Sequence, residues 1–157
     1  MIITNVTANH PKFSDRLINK SISLILRDRL YSTFSESERG RFSYDSNLNI
    51  YGICNPVKSY RLNTDMPITI VDSYRERRPR IGFRKRLLMF GHAEIVESPE
   101  LEIALSGYHK RHPREENKPG VLYVLRVNKV ILLDEAVFGV NESFTVRVQP
   151  VTYWAAA

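Results

Sequence analysis

The segment that most constrains this chain runs from Leu87 to Pro113, LLMFGHAEIVESPELEIALSGYHKRHP. Its first ten residues are apolar except for Gly91, His92 and Glu94. Side chains alternate along a strand, so Leu87, Met89, Ala93 and Ile95 share one face. Leu88, Phe90, His92, Glu94 and Val96 share the other. Both faces are largely apolar, which predicts a strand covered on both sides. A helix with both ends marked follows. Ser98 suits the cap and Pro99 the first helical position, and Glu100 and Glu102 lie near the positive end of the dipole. Leu101, Ala104, Leu105 and Tyr108 then recur at i, i+3, i+4 and i+7 as one apolar stripe. Lys110, Arg111 and His112 suit the negative end, and Pro113 stops the helix.

The rest of the chain reads mainly as short strands. Ile2 to Val6 suits a short strand or arm. A helix is predicted from Ser14, its cap, to about Arg27, with Ile18, Ile22 and Ile25 on one side, although Ile22 to Leu26 also suits a strand. Arg29 to Ser35 reads as a strand, SERG at 37–40 as a turn, and Arg41 to Tyr44 as a short strand. DSN at 45–47 is a second turn before a strand from Leu48 to Cys54 with Leu48, Ile50, Gly52 and Cys54 facing one way. Val57 to Met66 reads as a short helix ended by Pro67, and PITIVDS at 67–73 as a strand. Val121 to Leu133 is either one bent strand or two meeting near Asn128. Phe144 to Trp154 is an edge-type strand because of Pro150. The total is about seven strands and three helices, with the helices inserted singly between antiparallel strands. That pattern favours a small closed barrel with helices plugging its ends over a doubly wound parallel sheet.

A length of 157 residues suits one domain, 1–154, and Ala155 to Ala157 resembles a vector remnant. No run approaches the roughly 18 apolar residues of a membrane span, and the first residues lack a basic flank and apolar core, so a cytoplasmic protein is expected. The single cysteine, Cys54, excludes an internal disulfide and reads as a small core residue. Three N-x-S/T triplets, at Asn5, Asn19 and Asn141, are read as chance in a chain without a secretory signal. The net charge is +6 and the isoelectric point about 9.6, which points to an anionic partner. Most of the excess sits in one stretch: Arg75, Arg77, Arg78, Arg80, Arg84, Lys85 and Arg86, opposed only by Glu76.

Motifs for catalysis are scarce. No G-x-S-x-G, H-E-x-x-H, Walker loop or G-x-G-x-x-G occurs. His92, His109 and His112 lack a third ligand and carboxylate at metal-site spacing, so no metal site is expected. More informative is the group Asn55, Lys58, Ser59 and Arg61, where a strand turns into a short helix. Free backbone N–H groups gather there, and two cations three residues apart can reach one phosphate. The same residues also suit a solvated surface helix.

The order IYGICNP, KSYRL and NTDMPITIVDS resembles the pyridoxamine 5'-phosphate oxidase-like, FMN-binding split-barrel family. RKRLLMFGHAEIVESPEL is similar to its basic lead-in, G-x-A strand, acidic turn and helix, and VQPVTYW to its late P-x-x-x-W strand. The resemblance covers roughly residues 20 to 154 and implies a mostly β, α+β fold: a small closed antiparallel split β-barrel with short helices at its ends. It also implies an FMN-binding oxidoreductase acting on a small molecule, with Lys58 and Arg61 on the FMN phosphate and Asn55 or Ser59 adding hydrogen bonds. Three features depart from the family. Arg61 stands where an amide is usual, Pro56 where a serine is frequent, and the strand pair from Leu30 to Tyr44 is short. These departures admit haem or a deazaflavin in place of FMN.

Two functional expectations follow. One is a homodimeric flavoprotein with FMN held between subunits, in which Leu88, Phe90 and Val96 form an apolar outer face that needs a partner. The other is a nucleic-acid-binding module, with Arg75 to Arg86 tracking phosphates and Tyr74 or Phe83 stacking on bases.

Overall fold

The computed structural model describes residues 3, 5–29, 31–34, 38–54, 64–71, 83–115 and 120–149. In chain order the elements are β1 (Val6–Thr7), α1 (Asp15–Asp28), β2 (Tyr31–Phe34), β3 (Glu38–Tyr44), β4 (Asn49–Cys54), β5 (Thr64–Val71) and β6 (Lys85–Ile95). There follow α2 (Glu100–Arg111), a 3-10 turn at Pro113–Glu115, β7 (Val121–Asp134), α3 (Glu135–Phe138) and β8 (Ser143–Val148).

All strand pairs are antiparallel, in the order β1-β8-β7-β4-β3-β2-β5-β6, and β6 pairs back onto β7. The six strands from β7 to β6 therefore close on themselves, as the expected barrel requires. One edge of β7 is occupied along its length by β6. The other is shared, with Val121 to Arg126 pairing with β4 and Lys129 to Leu133 with β8. The sheet splits at that handover.

The run Val121–Leu133 is one strand, and it bends at Asn128. Phe90 faces Lys129 but Gly91 faces Val127, so Asn128 is the extra residue of a β-bulge. Gly91 makes this register workable. A Cβ there would collide with the Arg126 carbonyl and stand 2.9 Å from Val127 Cα.

Leu87, Met89 and Ala93 of β6 point inward and are fully buried with Phe42, Ile50, Ile68, Leu125, Val127 and Val130. Each such aliphatic side chain contributes roughly 1.5–3 kcal/mol by leaving water. Helix α1 joins the same core through Ile18, Ile22, Ile25 and Leu26. Ser14 caps it as expected, its Oγ accepting from the Leu17 N–H at 3.2 Å. At the far end of β7, Ser21 Oγ donates to Asp134 Oδ2 at 2.7 Å and ties the helix to the barrel.

Helix α2 differs from the expectation. It does not plug an end of the barrel but lies on the outside of β4 and β7. There Ala104 and Tyr108 bury with Tyr51, Val96, Leu122 and Val124, and Leu101 and Leu105 pack at the margin. Val96 is therefore covered by its own chain, and only Leu88 and Phe90 remain of the outer face assigned to a partner. Ile95 is 45% exposed, because it is the last residue of β6 and lies beyond the barrel interior.

Other expectations are also corrected. Ser98 does not cap α2; its hydroxyl donates to Glu102 Oε1 at 2.6 Å, and the helix begins at Glu100. Glu38 to Gly40 extend β3 rather than forming a turn, because they pair with β2. Thr64 to Met66 belong to β5, not to a helix. Pro67 lies within β5, opposite Phe90 of β6 and one residue beyond the last described pair with β2, Ile68 with Phe34. Strand β8 is flanked by β1 as well as β7 at Arg147 and Val148. There are eight strands among the described residues, and the short helix α3 was not foreseen. Pro150, Trp154 and Ala155 to Ala157 lie outside the described residues.

The close approach at the bulge gives a stability prediction. Gly91→Ala forces Arg126 and Val127 away from β6, and overpacking of this kind typically costs about 1–3 kcal/mol. A lower urea midpoint at unchanged slope is expected, whereas Gly40→Ala, with nothing within 4 Å of its added methyl, leaves the midpoint nearly unchanged.

Candidate functional site

Asn55, Lys58, Ser59 and Arg61 lie outside the described residues, as do Arg75, Arg77, Arg78 and Arg80. Strand β4 ends at Cys54, which leads directly into the first of these groups. Cys54 itself is buried in the core, and burial pushes its thiol up.

Of the described cations in the basic stretch, two are used by the fold. Arg84 Nε lies 3.1 Å from Glu135 Oε1, and Arg84 Nη2 donates to Asn141 Oδ1 at 2.6 Å. The Arg84 guanidinium, with the backbone N–H groups of Asn141 and Arg84, holds the Glu135 carboxyl at about 2. Lys85 Nζ stands 4.0 Å from the buried Asp134. These contacts fasten the start of β6 to α3 and leave less of the stretch for tracking phosphates.

The histidines are likewise structural where the contacts are seen. His112 is buried at the end of α2 and its Nε2 donates to the Phe42 carbonyl at 2.6 Å. Burial pushes its imidazole down, so it stays neutral rather than serving the helix dipole as a cation. His92 Nδ1 lies 3.1 Å from Asp65 Oδ1. Among the described residues, no cluster of three metal-ligating side chains occurs.

A cavity of about 610 Å³ opens between α2, the turn joining β3 to β4, and the last turn of α1. Ligand pockets generally fall in the range of roughly 300–1,000 Å³. Ile103, Ala104 and Gly107 form one wall, Tyr44 and Asp45 another, and Arg27, Lys110 and Arg111 stand at the margin. Tyr51 and Glu100 also line it.

Glu100 is 6% exposed and already neutralised. Arg126 reaches it from β7 with two near-parallel hydrogen bonds of 2.7 and 2.6 Å, and bonds Glu94 at 3.1 Å. Tyr51 Oη donates to Glu100 Oε2 at 2.8 Å and stands 3.2 Å from Asp45 Oδ2. Burial alone pushes Glu100 up, but the hydrogen bonds from Arg126 and Tyr51 outweigh it and hold the carboxyl below its usual range. Burial and the charges of Asp45 and Glu100 push the Tyr51 phenol far up, so it remains a neutral donor. Asp45 in turn accepts from the N–H groups of Asn47 and Asn49 at 2.9 and 3.0 Å and from Asn49 Nδ2 at 2.9 Å. The turn read from DSN is thus built into the cavity wall.

Glu100 is paired with a cation, Asp45 is held by neutral donors, and the margin carries three cations. Arg111 is committed: its Nη2 donates to the carbonyls of Leu26 and Arg29, closing the end of α1, and its guanidinium lies 4.7 Å from the Phe42 ring centroid and 4.9 Å from that of Tyr44. Arg27 is exposed and pairs with its neighbour Asp28, at 2.9 Å. Lys110 has no ion-pair partner among the described residues. The arrangement suits a ligand with an apolar body and an anionic substituent.

Sequence reading missed this site. It assigned Lys110 to the helix dipole and the DSN triplet to a turn alone. One signal was present: Arg126 lies midway through a largely apolar strand, and a charge in such a place calls for a buried partner.

That partner makes the pair testable. Arg126→Met leaves Glu100 buried without its counter-ion, a change that typically costs about 3–5 kcal/mol. Because the folded Glu100 carboxyl is depressed, its contribution is present above the ordinary value of 4.5 and is lost as pH falls below it. Denaturant titrations should therefore show stability falling in acid for the wild type, with a shallower fall for Glu100→Gln.

No protein-family model matches the chain, and no curated protein matches it in sequence. One solved structure overlays with a TM-score of 0.58 at 12% identity, covering 83% of this chain and 97% of that one. A heme binding protein from Mycobacterium smegmatis overlays with a TM-score of 0.52 at 15% identity, covering 74% of this chain and 50% of that one. This chain thus aligns with half the length of the mycobacterial protein. HutZ, the heme storage protein from Vibrio cholerae, gives a TM-score of 0.49 at 12% identity, covering 85% and 89% of the two chains, which is too low to bear on the argument. Likeness at such identities concerns the backbone alone, and with the ring of six strands it shows that the chain has an α+β split-barrel fold.

Proposed function

We propose that this protein binds a planar, anionic prosthetic group, FMN in the first reading, and uses it for electron or hydride transfer to a small molecule. The observation that carries the proposal is the cavity under α2, with apolar walls and the cations Arg27 and Lys110 at its margin. Such a site fits the chemistry of FMN: a flat ring for the walls and a phosphate, nearly dianionic at neutral pH, for the cations. When bound, the flavin supplies the redox chemistry. The chain's own residues contribute binding, orientation and exclusion of water, and no catalytic side chain is assigned. The resemblance adds Asn55, Lys58, Ser59 and Arg61 as phosphate-binding residues.

Haem is the second reading, favoured by the likeness in fold to the heme binding protein from Mycobacterium smegmatis. Its propionates suit the same marginal cations. The protein is further proposed to be a homodimer, because Leu88 and Phe90 are only half-buried on a face of β6 that carries no helix among the described residues. No helix among the described residues is long and apolar enough to cross a membrane.

Titration of the purified protein with FMN, riboflavin and haemin separates these readings. A charge-assisted hydrogen bond contributes about 1.5–3 kcal/mol, so Arg61→Ala is expected to weaken FMN on the order of tenfold to a hundredfold. Riboflavin, which lacks the phosphate, should be nearly unaffected. A Soret band on adding haemin, with no quenching of FMN fluorescence, would replace the first reading with the second. Sedimentation as a monomer at micromolar concentration would remove the homodimer.

A further inference from the structure

Gly107 lies in the interior of α2, where glycine is disfavoured because it has the most backbone freedom to lose. An interior glycine is usually explained by a close approach. Here there is none, since a Cβ built at Gly107 would meet nothing within 4 Å. Gly107 instead faces the cavity, of which it forms part of the wall. Two other cavity residues share its side of the helix. Ile103 precedes it by one turn and Lys110 follows it by about one turn, so the three stand at i, i+4 and i+7. Ile103 is 58% exposed, an uncommon degree for a large apolar side chain on a helix that buries its opposite face. The order along the wall is therefore an exposed apolar side chain, a gap and a cation with no ion-pair partner among the described residues. Across the cavity stand Tyr44 and Arg27.

We infer that Gly107 is the specificity-determining aperture of this cavity, leaving open a slot for a planar ring flanked by Ile103, with Lys110 taking an acidic substituent of that ring's side chain. The inference rests on the prosthetic-group reading and adds to it the residue that fixes which ring can enter. The ligand class is a flat aromatic system with a phosphate or carboxylate on a short arm. A ligand lacking the acid keeps the slot and loses only the contact with Lys110.

Gly107→Leu tests this, because leucine favours the helix while filling the slot. Affinities for FMN, riboflavin and haemin are read by flavin fluorescence and Soret absorption, with far-UV circular dichroism and a thermal melt to confirm folding. The folded variant is expected to bind whichever of these ligands the wild type holds at least about tenfold more weakly, because leucine places four carbons in the slot. Lys110→Ala is expected to weaken FMN about tenfold while changing riboflavin by less than about twofold. Should Gly107→Leu fail to fold, Gly107→Ala decides, with an expected loss of about threefold. Wild-type binding that Gly107→Leu leaves intact overturns the inference and spares the prosthetic-group reading. A wild type that binds none of the three overturns both.

Discussion

Strand β7 bears the hydrogen bonding on which the rest of the structure depends. Fourteen residues long, it pairs with β6 along one edge and hands its other edge from β4 to β8. A strand with three partners cannot stay flat or in constant register. The extra residue Asn128 supplies the bend, and Gly91 on β6 supplies the room for it. Closure of the barrel, and the departure of β8 from it, both follow from that local adjustment.

The same strand sets the site. Inward-facing residues of β7 such as Leu125 and Val127 join the interior core, while Leu122 and Val124 face outward under α2. Arg126 emerges beside this outer cluster and grips Glu100 at the start of the helix. A buried ion pair gains little net stability over a well-packed apolar pair, because both charges must leave water. Its value here is positional: the two parallel hydrogen bonds fix the start of α2 over β7, and Tyr51 and Asp45 carry that order into the turn between β3 and β4. At the other end of α2, Arg111 closes α1. The cavity lies between these two anchors, so its walls are held by contacts that a ligand need not displace.

The division of charge within the site follows from which groups could be satisfied by the fold. Glu100, buried beside β7, has its hydrogen-bond partners in Arg126 and Tyr51. Two of the cations at the margin, Arg27 and Lys110, are exposed and cheaply solvated, and these are the groups placed to meet an anion. Charge in the basic stretch follows the same logic in reverse, since Arg84 and Lys85 are turned toward Glu135 and Asp134.

Much of this was legible in the sequence because it depends on neighbours along the chain. The alternation of Leu87, Met89 and Ala93, the cap at Ser14, the stripe from Leu101 to Tyr108, the DSN turn and the bend near Asn128 are all local patterns. Each is dictated by backbone period or turn chemistry. The motif order added the split barrel, and the strand pairing agrees with it. What sequence could not supply is where separated elements meet. Val96 was apolar on an outward face, and only the position of α2 made that face internal. Ser98 had the right chemistry for a cap but bonded to Glu102. Pro67 reads as a stop by its own geometry, yet it lies within β5, opposite Phe90 and beyond the last described pair with β2. The pairing of Glu100 with Arg126, 26 residues apart, and of Arg111 with the end of α1, 85 residues from Leu26, are long-range contacts that no local pattern encodes. The cavity exists because those contacts hold α2 where they do, so it was decided by the tertiary structure alone.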